Sequence, residues 1–258
     1  MLRTVWLVIV AVGVTIPLST ATIFVAVFRS TSPLIDLIVR TWGRLLVKAA
    51  GIDLHTENVE RIDPSQRYIL VANHYSYLDI PCIVASIPQP IRFMAKVSLF
   101  KIPIFGWSLG RAGFIPIDRK NRRTAVKSFD LAADRIRKGN TIVIFPEEGR
   151  SKTRAMRPFQ RGAFLLALKS EKTIVPIAID STFDVFPVGA KRVTPGRVTI
   201  RVGTPIVTAG RSLKDKGALL EEARTQVETM LFGAPVSGEA AAESRPHPNP
   251  LPEGEKGL

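Results

Sequence analysis

With 258 residues, 46% of them hydrophobic, the chain can bury one sizeable core plus appendages. The net charge of +14 rises to +16 without residues 239–258, where four Glu face one Arg and one Lys; such a surface attracts nucleic acid, anionic lipid headgroups or phosphorylated substrates alike. The single cysteine, Cys82, excludes an intrachain disulfide and a cysteine-built metal site, and reads as a small core residue.

Residues 4–28 carry no charge over twenty-five positions, enough for a helix to cross a bilayer core. Arg29, Arg40, Arg44 and Lys48 follow this run against Arg3 before it, which places the downstream domain in the cytoplasm. The apolar run continues through Phe28, past Ser19–Ala21 where a signal peptide would end, and this argues against cleavage. Pro17 in mid-run is compatible with a kinked or re-entrant hairpin as well as with a span. Over 33–50, Asp36, Arg40, Arg44 and Lys48 recur at steps of four, with Leu37, Ile38, Trp42, Leu45 and Leu46 on the other faces. This amphipathic helix suits the membrane interface and suits packing on a globular domain equally well. Residues 1–50 are therefore expected to form a membrane anchor.

From residue 51 short apolar runs alternate with helical patterns. Strands are expected at 68–71, 91–95, 113–117, 141–145, 173–179 and 198–202. Val126, Phe129, Ala133 and Ile136 mark a helix face that stops at Gly139, and a last helix is expected at about 213–231. The alternation predicts a single α/β domain over 51–232, with a mostly parallel or mixed sheet flanked by helices. Residues 233–258, rich in proline, have too few apolar groups to offset the entropy of ordering and are expected to be a disordered tail.

The chemistry is expected at Asn73-His74-Tyr75-Ser76-Tyr77-Leu78-Asp79. Of three histidines, His55 lies in a polar segment and His247 in the tail; only His74 follows a predicted strand. Histidine is the side chain best suited to general-base work near neutral pH, and a carboxylate on its far nitrogen fixes the tautomer. Residues five apart on a straight helix point about 140° away from each other, so the pair requires a strand-turn-helix, with His74 in the turn and Asp79 in the first helical turn. The bland alternative is a histidine capping that helix and an aspartate complementing its positive end.

Gly106-Trp107-Ser108-Leu109-Gly110 matches the G-x-S-x-G elbow of serine hydrolases by letter only. That elbow needs a helix after the serine and a later triad histidine, whereas residues 111–117 read as loop and strand and only His247 follows. Two further segments close strands with polar groups: Gly113-Phe114-Ile115-Pro116-Ile117-Asp118-Arg119 and Phe145-Pro146-Glu147-Glu148-Gly149-Arg150-Ser151. Ligands of α/β sheets bind outside the carboxyl ends of strands, so Arg119, Glu147 and Arg150 could converge with His74, and an arginine's planar fork matches a phosphate. For either segment alone, surface ion pairs are the better explanation.

Taken in order and spacing, these blocks over residues 65–205 resemble the glycerolipid acyltransferases, and most closely the lysophosphatidic acid (1-acylglycerol-3-phosphate) acyltransferases. Val175-Pro176-Ile177-Ala178-Ile179, Lys101 to Trp107 and Arg161-Gly162-Ala163-Phe164 share the likeness. The resemblance implies that His74 is the base and Asp79 its partner. It also implies that Gly113, Arg119, Glu147, Arg150 and Pro176 line the substrate site. The implied reaction is acyl transfer from acyl-CoA or acyl carrier protein, acting as co-substrate, to lysophosphatidic acid among membrane lipids, with no cofactor and no metal. One departure stands out. Where the family reads F-P-E-G-T-R-S, this chain has Glu148 for the glycine and Gly149 for the threonine, which leaves another acceptor such as a lyso-ornithine lipid open. A membrane-anchored anionic-lipid-binding protein would explain the charge but not His74. Nucleic acid is not an expected partner, because the basic clusters carry no stacking aromatics and no zinc or helix-turn-helix pattern.

Overall fold

A computed structural model of the chain describes residues 2–118 and 122–233, except for the side chains of 122–126. Two long helices come first, α1 (Leu2–Phe28) and α2 (Pro33–Ala50). Then follow β1 (Ile52–Glu57), β2 (Ile69–Ala72), α3 (Asp79–Ser86), β3 (Ile91–Lys96), α4 (Phe105–Ala112), β4 (Ile115–Ile117), α5 (Arg122–Arg137) and β5 (Thr141–Ile144). The chain continues through α6 (Gly162–Ser170), β6 (Ile174–Asp180), α7 (Thr182–Val185), β7 (Gly196–Val202) and α8 (Lys216–Phe232).

The seven strands form one sheet in the order β1-β7-β6-β2-β5-β3-β4, with every neighbouring pair parallel except β6–β7. The expected α/β domain with a mixed, mostly parallel sheet is therefore what forms. Central strands β2 and β5 are buried at every position, as continuous apolar runs must be when helices cover both faces. Alternate side chains divide between two cores. Leu70, Ala72, Phe93, Val143, Val175 and Ile177 join the side of α2, α3 and α4. Ile69, Val71, Met94, Ile142, Ile144 and Ile174 join the side of α5, α6 and α8.

Local signals set the helix ends. Ser32 caps α2 by accepting the Leu34 N–H at 3.3 Å, Pro33 occupies its first turn, and Gly51 ends it at φ +71°. Gly139, at φ +85°, stops α5 in the expected left-handed conformation. Strand β1 was not among the expected strands: it is an edge strand whose residues are largely exposed and polar. Residues 111–112, expected in a loop, belong instead to α4, so the G-x-S-x-G match lies entirely within a helix. Ser108 donates to the Phe105 carbonyl at 2.7 Å and lies 3.1 Å from Ser19 Oγ on α1, a packing contact between helices.

Helix α1 lies along the domain. Thr4 Oγ1 accepts the Val193 N–H at 3.0 Å, Thr15 Oγ1 accepts the Trp42 indole N–H at 2.9 Å, and Ser19 meets Ser108. Residues 4 to 19 span about 22 Å of helix. Its outer side exposes Val5, Trp6, Val8, Ile9, Val12, Ile16, Phe24 and Phe28, and α2 adds Leu34, Leu37 and Leu45. The inner face of α2 buries Ile35, Leu46 and Val47, and Asp36 ties it to Arg92 of β3 at 2.7 Å. Of the expected tail 233–258, Gly233 ends α8 and residues 234–258 lie outside the described residues.

Candidate active site

Strands β2 and β5 lie side by side at the centre of the sheet. The chain leaves β2 through α3 on one face and β5 through α6 on the other. A crevice opens at the carboxyl ends of such diverging strands, and His74 and Phe145 follow β2 and β5 there.

The turn after β2 is fixed at each step. Asn73 is fully buried; its amide donates to the Ile179 carbonyl at 2.9 Å and its carbonyl accepts the Ile179 N–H at 2.7 Å, pinning the end of β2 to β6. His74 follows in the turn and Asp79 opens α3, the strand-turn-helix that the spacing requires. Nδ1 of His74 lies 2.7 Å from Asp79 Oδ2, and the same oxygen accepts the backbone N–H groups of Tyr75 at 2.7 Å and Ser76 at 2.8 Å. Asp79 is completely buried, while the His74 side chain keeps 12% of its exposure. A carboxylate oxygen only accepts, so Nδ1 carries the hydrogen and Nε2 is left with a lone pair. The imidazole stacks on Phe145, 4.0 Å between centroids and 15° from parallel, which holds its plane.

Behind the turn stands Glu147, 1% exposed. Oε1 accepts the His74 N–H at 2.7 Å and Oε2 accepts the Arg157 N–H at 2.8 Å, so one carboxylate joins the His74 turn to the loop after β5. Burial pushes the Glu147 carboxyl up to about 7, against the downward pull of the N–H bonds from Arg157 and His74. The Ser151 N–H donates to the His74 carbonyl at 2.9 Å, and the Tyr75 hydroxyl donates to the Arg154 carbonyl at 2.8 Å. Burial also raises the Tyr75 hydroxyl well above its usual range. Ser76 donates to the Phe186 carbonyl at 2.6 Å and bridges to Pro187, bringing the segment after α7 against the turn.

The predicted site residues separate into groups. His74 and Asp79 are joined, and Glu147 braces them from behind. Arg150 lies across the turn on Tyr77, its Cζ 3.4 Å from the ring centroid, and its side chain has no hydrogen-bond or carboxylate partner among the described residues. Gly113 is not brought to His74. It ends α4 at φ +89° beside Arg92, five strand positions below His74 by register, or roughly 16 Å along the sheet. Pro176 is a buried residue of β6, aligned with Val71, and its carbonyl accepts the Gly203 N–H at 2.8 Å where antiparallel pairing with β7 begins. By register Gly113 lies level with Ile69 and Pro176 with Val71, five and three positions before His74. Arg119 lies outside the described residues, as do Lys120 and the side chains of Arg122 and Arg123.

Of the other basic residues, Arg154 pairs with Asp184, while Lys152, Arg157 and Arg161 are exposed. Glu148 is exposed at φ +53°, a left-handed conformation that favours the glycine found there in the family pattern. A Cβ at Gly149 would come within 2.4 Å of Arg157 Nη1, so the absent side chain makes room for that guanidinium. Cys82 is fully buried, its thiol raised by burial, in keeping with a core role. Among the described residues no three His, Cys, Asp or Glu side chains cluster as metal ligands. Asn73, Ser76, Tyr77 and Phe145 have functions in this turn that no sequence pattern assigns them. Asn73 and Phe145 begin their blocks, but the partners that give them roles lie on distant strands.

A family model described as acyltransferase matches residues 52–180, half of the chain, and carries the His74 turn, Asp79, Glu147 and Arg150. The chain belongs to the acyltransferase family. Among acyltransferases named for 1-acyl-sn-glycerol-3-phosphate, the alpha protein of Bos taurus is 31% identical over 209 residues, 81% of this chain and 72% of that protein. The chloroplastic BAT2 protein of Brassica napus is 32% identical over 160 residues, 62% of this chain and 45% of that protein. The chain thus spans under half the length of that plant relative. The crystal structure of the 1-acyl-sn-glycerophosphate (LPA) acyltransferase PlsC from Thermotoga maritima superposes with a TM-score of 0.76 at 24% identity, covering 89% of this chain and 93% of that one. That likeness establishes a shared acyltransferase fold.

Proposed function

We propose that this acyltransferase moves an acyl chain from acyl-CoA or acyl carrier protein to the 2-hydroxyl of a 1-acylglycerol 3-phosphate, forming phosphatidic acid. The observation that carries the reading is the buried Asp79–His74 pair, which leaves Nε2 free to accept a proton. Nε2 takes the hydroxyl proton as the oxygen attacks the thioester carbonyl. The tetrahedral oxyanion then collapses, the carbon–sulfur bond breaks, and the thiolate recovers the proton from the imidazolium, whose charge Asp79 stabilises.

Transfer is direct. The nearby hydroxyls of Ser76 and Ser151 are bonded to the carbonyls of Phe186 and Ala155, and neither stands beside a base as an activated nucleophile would. Arg150, which has no protein acceptor among the described residues, clamps the acceptor phosphate together with Arg119. A cavity of about 110 Å3 between α1, α2, α3 and α4 supports an acyl substrate. Its lining is apolar, and its wall residue Phe93 stacks on Phe145, which stacks on His74.

The anchor reading sharpens as well. A helix that touches the domain from Thr4 to Ser19 cannot also stand clear of it across a bilayer, so α1 lies in the interface with Trp6, Ile9, Val12, Ile16 and Phe24 among acyl chains. Arg40, Arg44 and Lys48 then meet anionic headgroups of the cytoplasmic leaflet. Both lipid substrate and lipid product stay in the membrane beside the crevice.

The test is acyl transfer from an acyl thioester to lysophosphatidic acid by the membrane-extracted protein, with His74→Ala as control and lyso-ornithine lipid as competing acceptor. Phosphatidic acid formed by the wild type alone is the expected result. Preference for the lyso-ornithine lipid would assign Glu148, exposed beside Arg150, to a different headgroup; activity retained in His74→Ala would overturn the base.

A further inference from the structure

Tyr77 sits between His74 and Asp79, yet its side chain is 60% exposed and its hydroxyl has no partner among the described residues. What the ring does have is Arg150. At 3.4 Å from the centroid, Cζ lies in van der Waals contact with the ring face. Phe186 braces the tyrosine, 6.4 Å away and tilted 42°. Among the described residues Arg150 has no carboxylate or carbonyl acceptor to orient it, and its Nη1 is shielded from solvent. A guanidinium stacked on an aromatic face uses its π surface for the contact and keeps its in-plane N–H donors for an anion.

The platform is rigid for a reason that also serves catalysis. Asp79 Oδ2 holds the N–H groups of Tyr75 and Ser76, while Ser76 Oγ accepts the Leu78 N–H at 3.1 Å and donates to the Phe186 carbonyl. The residues on both sides of Tyr77 are thus tied to the carboxylate that orients His74. We propose that Tyr77 is a positioning residue for acceptor recognition: its ring holds the Arg150 guanidinium ready to receive the acceptor phosphate, a role in binding that leaves the chemical step at His74 to its own supports. The proposal rests on the reading of Arg150 as the acceptor-phosphate ligand.

The experiment compares Tyr77→Phe, Tyr77→Leu, Arg150→Ala and the double variant Tyr77→Leu/Arg150→Ala in the full chain. It reads the Kd for lysophosphatidic acid in micelles without donor, then kcat and the pH profile with donor. The ring is mostly exposed, so Tyr77→Leu folds, and an unchanged melting temperature checks this. Tyr77→Leu is expected to weaken Kd about tenfold, leave kcat within about twofold and leave the pH profile in place. Tyr77→Phe, which keeps the ring, binds as the wild type does. With Arg150 already removed, Tyr77→Leu has no further effect.

If Arg150→Ala leaves Kd unchanged, or the wild type does not bind, the phosphate reading itself fails and the proposal falls with it. If Arg150→Ala weakens binding but Tyr77→Leu is additive with it, is silent, or is matched by Tyr77→Phe, the phosphate reading stands and the positioning role is overturned.

Discussion

The two halves of the crevice are built on opposite plans. Around His74 the protein supplies the partners itself: Asp79 and Phe145 hold the imidazole, and Glu147 and the Asn73–Ile179 pair hold its turn. Around Arg150 the described residues supply a ring to lie on and no acceptor, two positions after a residue in a left-handed backbone conformation. The base must hold one geometry whether or not substrate is present, so His74 Nδ1 and the N–H groups of Tyr75 and Ser76 all meet the single oxygen Asp79 Oδ2. The anion-facing half leaves donors unmet, because the substrate's oxygens are to meet them.

The comparison predicts that changes on the His74 side act on turnover and stability, and changes on the Arg150 side on acceptor binding. The largest effect is expected from His74→Ala, with kcat reduced by about 10^3- to 10^4-fold at unchanged folding, measured by acyl transfer and circular dichroism. Asp79→Asn should lower kcat by at least about 10^2-fold, since an amide offering its nitrogen to the ring no longer selects the Nδ1–H tautomer. Comparable turnover in Asp79→Asn and wild type would erase the distinction between the two halves.

Removing the Asn73 clamp comes next. Asn73→Ala leaves the buried Ile179 N–H and C=O without partners and should cost about 2–4 kcal/mol in chemical denaturation.

Glu147 gives a pH-dependent effect. Its folded-state value of about 7 lies above the ordinary 4.5, so the folded chain binds this proton more tightly than the unfolded chain does. Its contribution is therefore favourable below pH 4.5 and lost as pH rises through about 7. Relative to Glu147→Gln, the wild type should lose up to about 3 kcal/mol over that window. Parallel stability curves for the two proteins would mean that burial does not govern this carboxyl.

The smallest effect belongs to the Arg150 side. Glu148→Gly removes a left-handed non-glycine residue and should stabilise the fold by about 1 kcal/mol, a rise of a few degrees in melting temperature.

Much of this was legible in the sequence because it is local. Apolar runs set six of the seven strands, and Gly139 sets the end of α5, since capping and burial depend on neighbours a few residues away. The His74–Asp79 spacing fixed the strand-turn-helix for the same reason: five residues leave few ways to bring the two side chains together. Edge strand β1 escaped notice because a half-solvated strand carries only a weak apolar signal.

What only the tertiary structure decided involves partners far apart in sequence. The family resemblance implied that Glu147, Gly113 and Pro176 line the substrate site; strand register and burial set Glu147 behind the His74 turn, Gly113 level with Ile69 and Pro176 level with Val71. Sequence established that α1 is apolar enough for a membrane, but contacts from Thr4 to Ser19 lay it along the domain. Tyr77 and Arg150 are 73 residues apart, and only the parallel pairing of β2 with β5 brings their loops to the same end of the sheet. A motif encodes which groups are available, while sheet order decides which of them meet, because pairing energy is set between strands and leaves no periodic trace within either one.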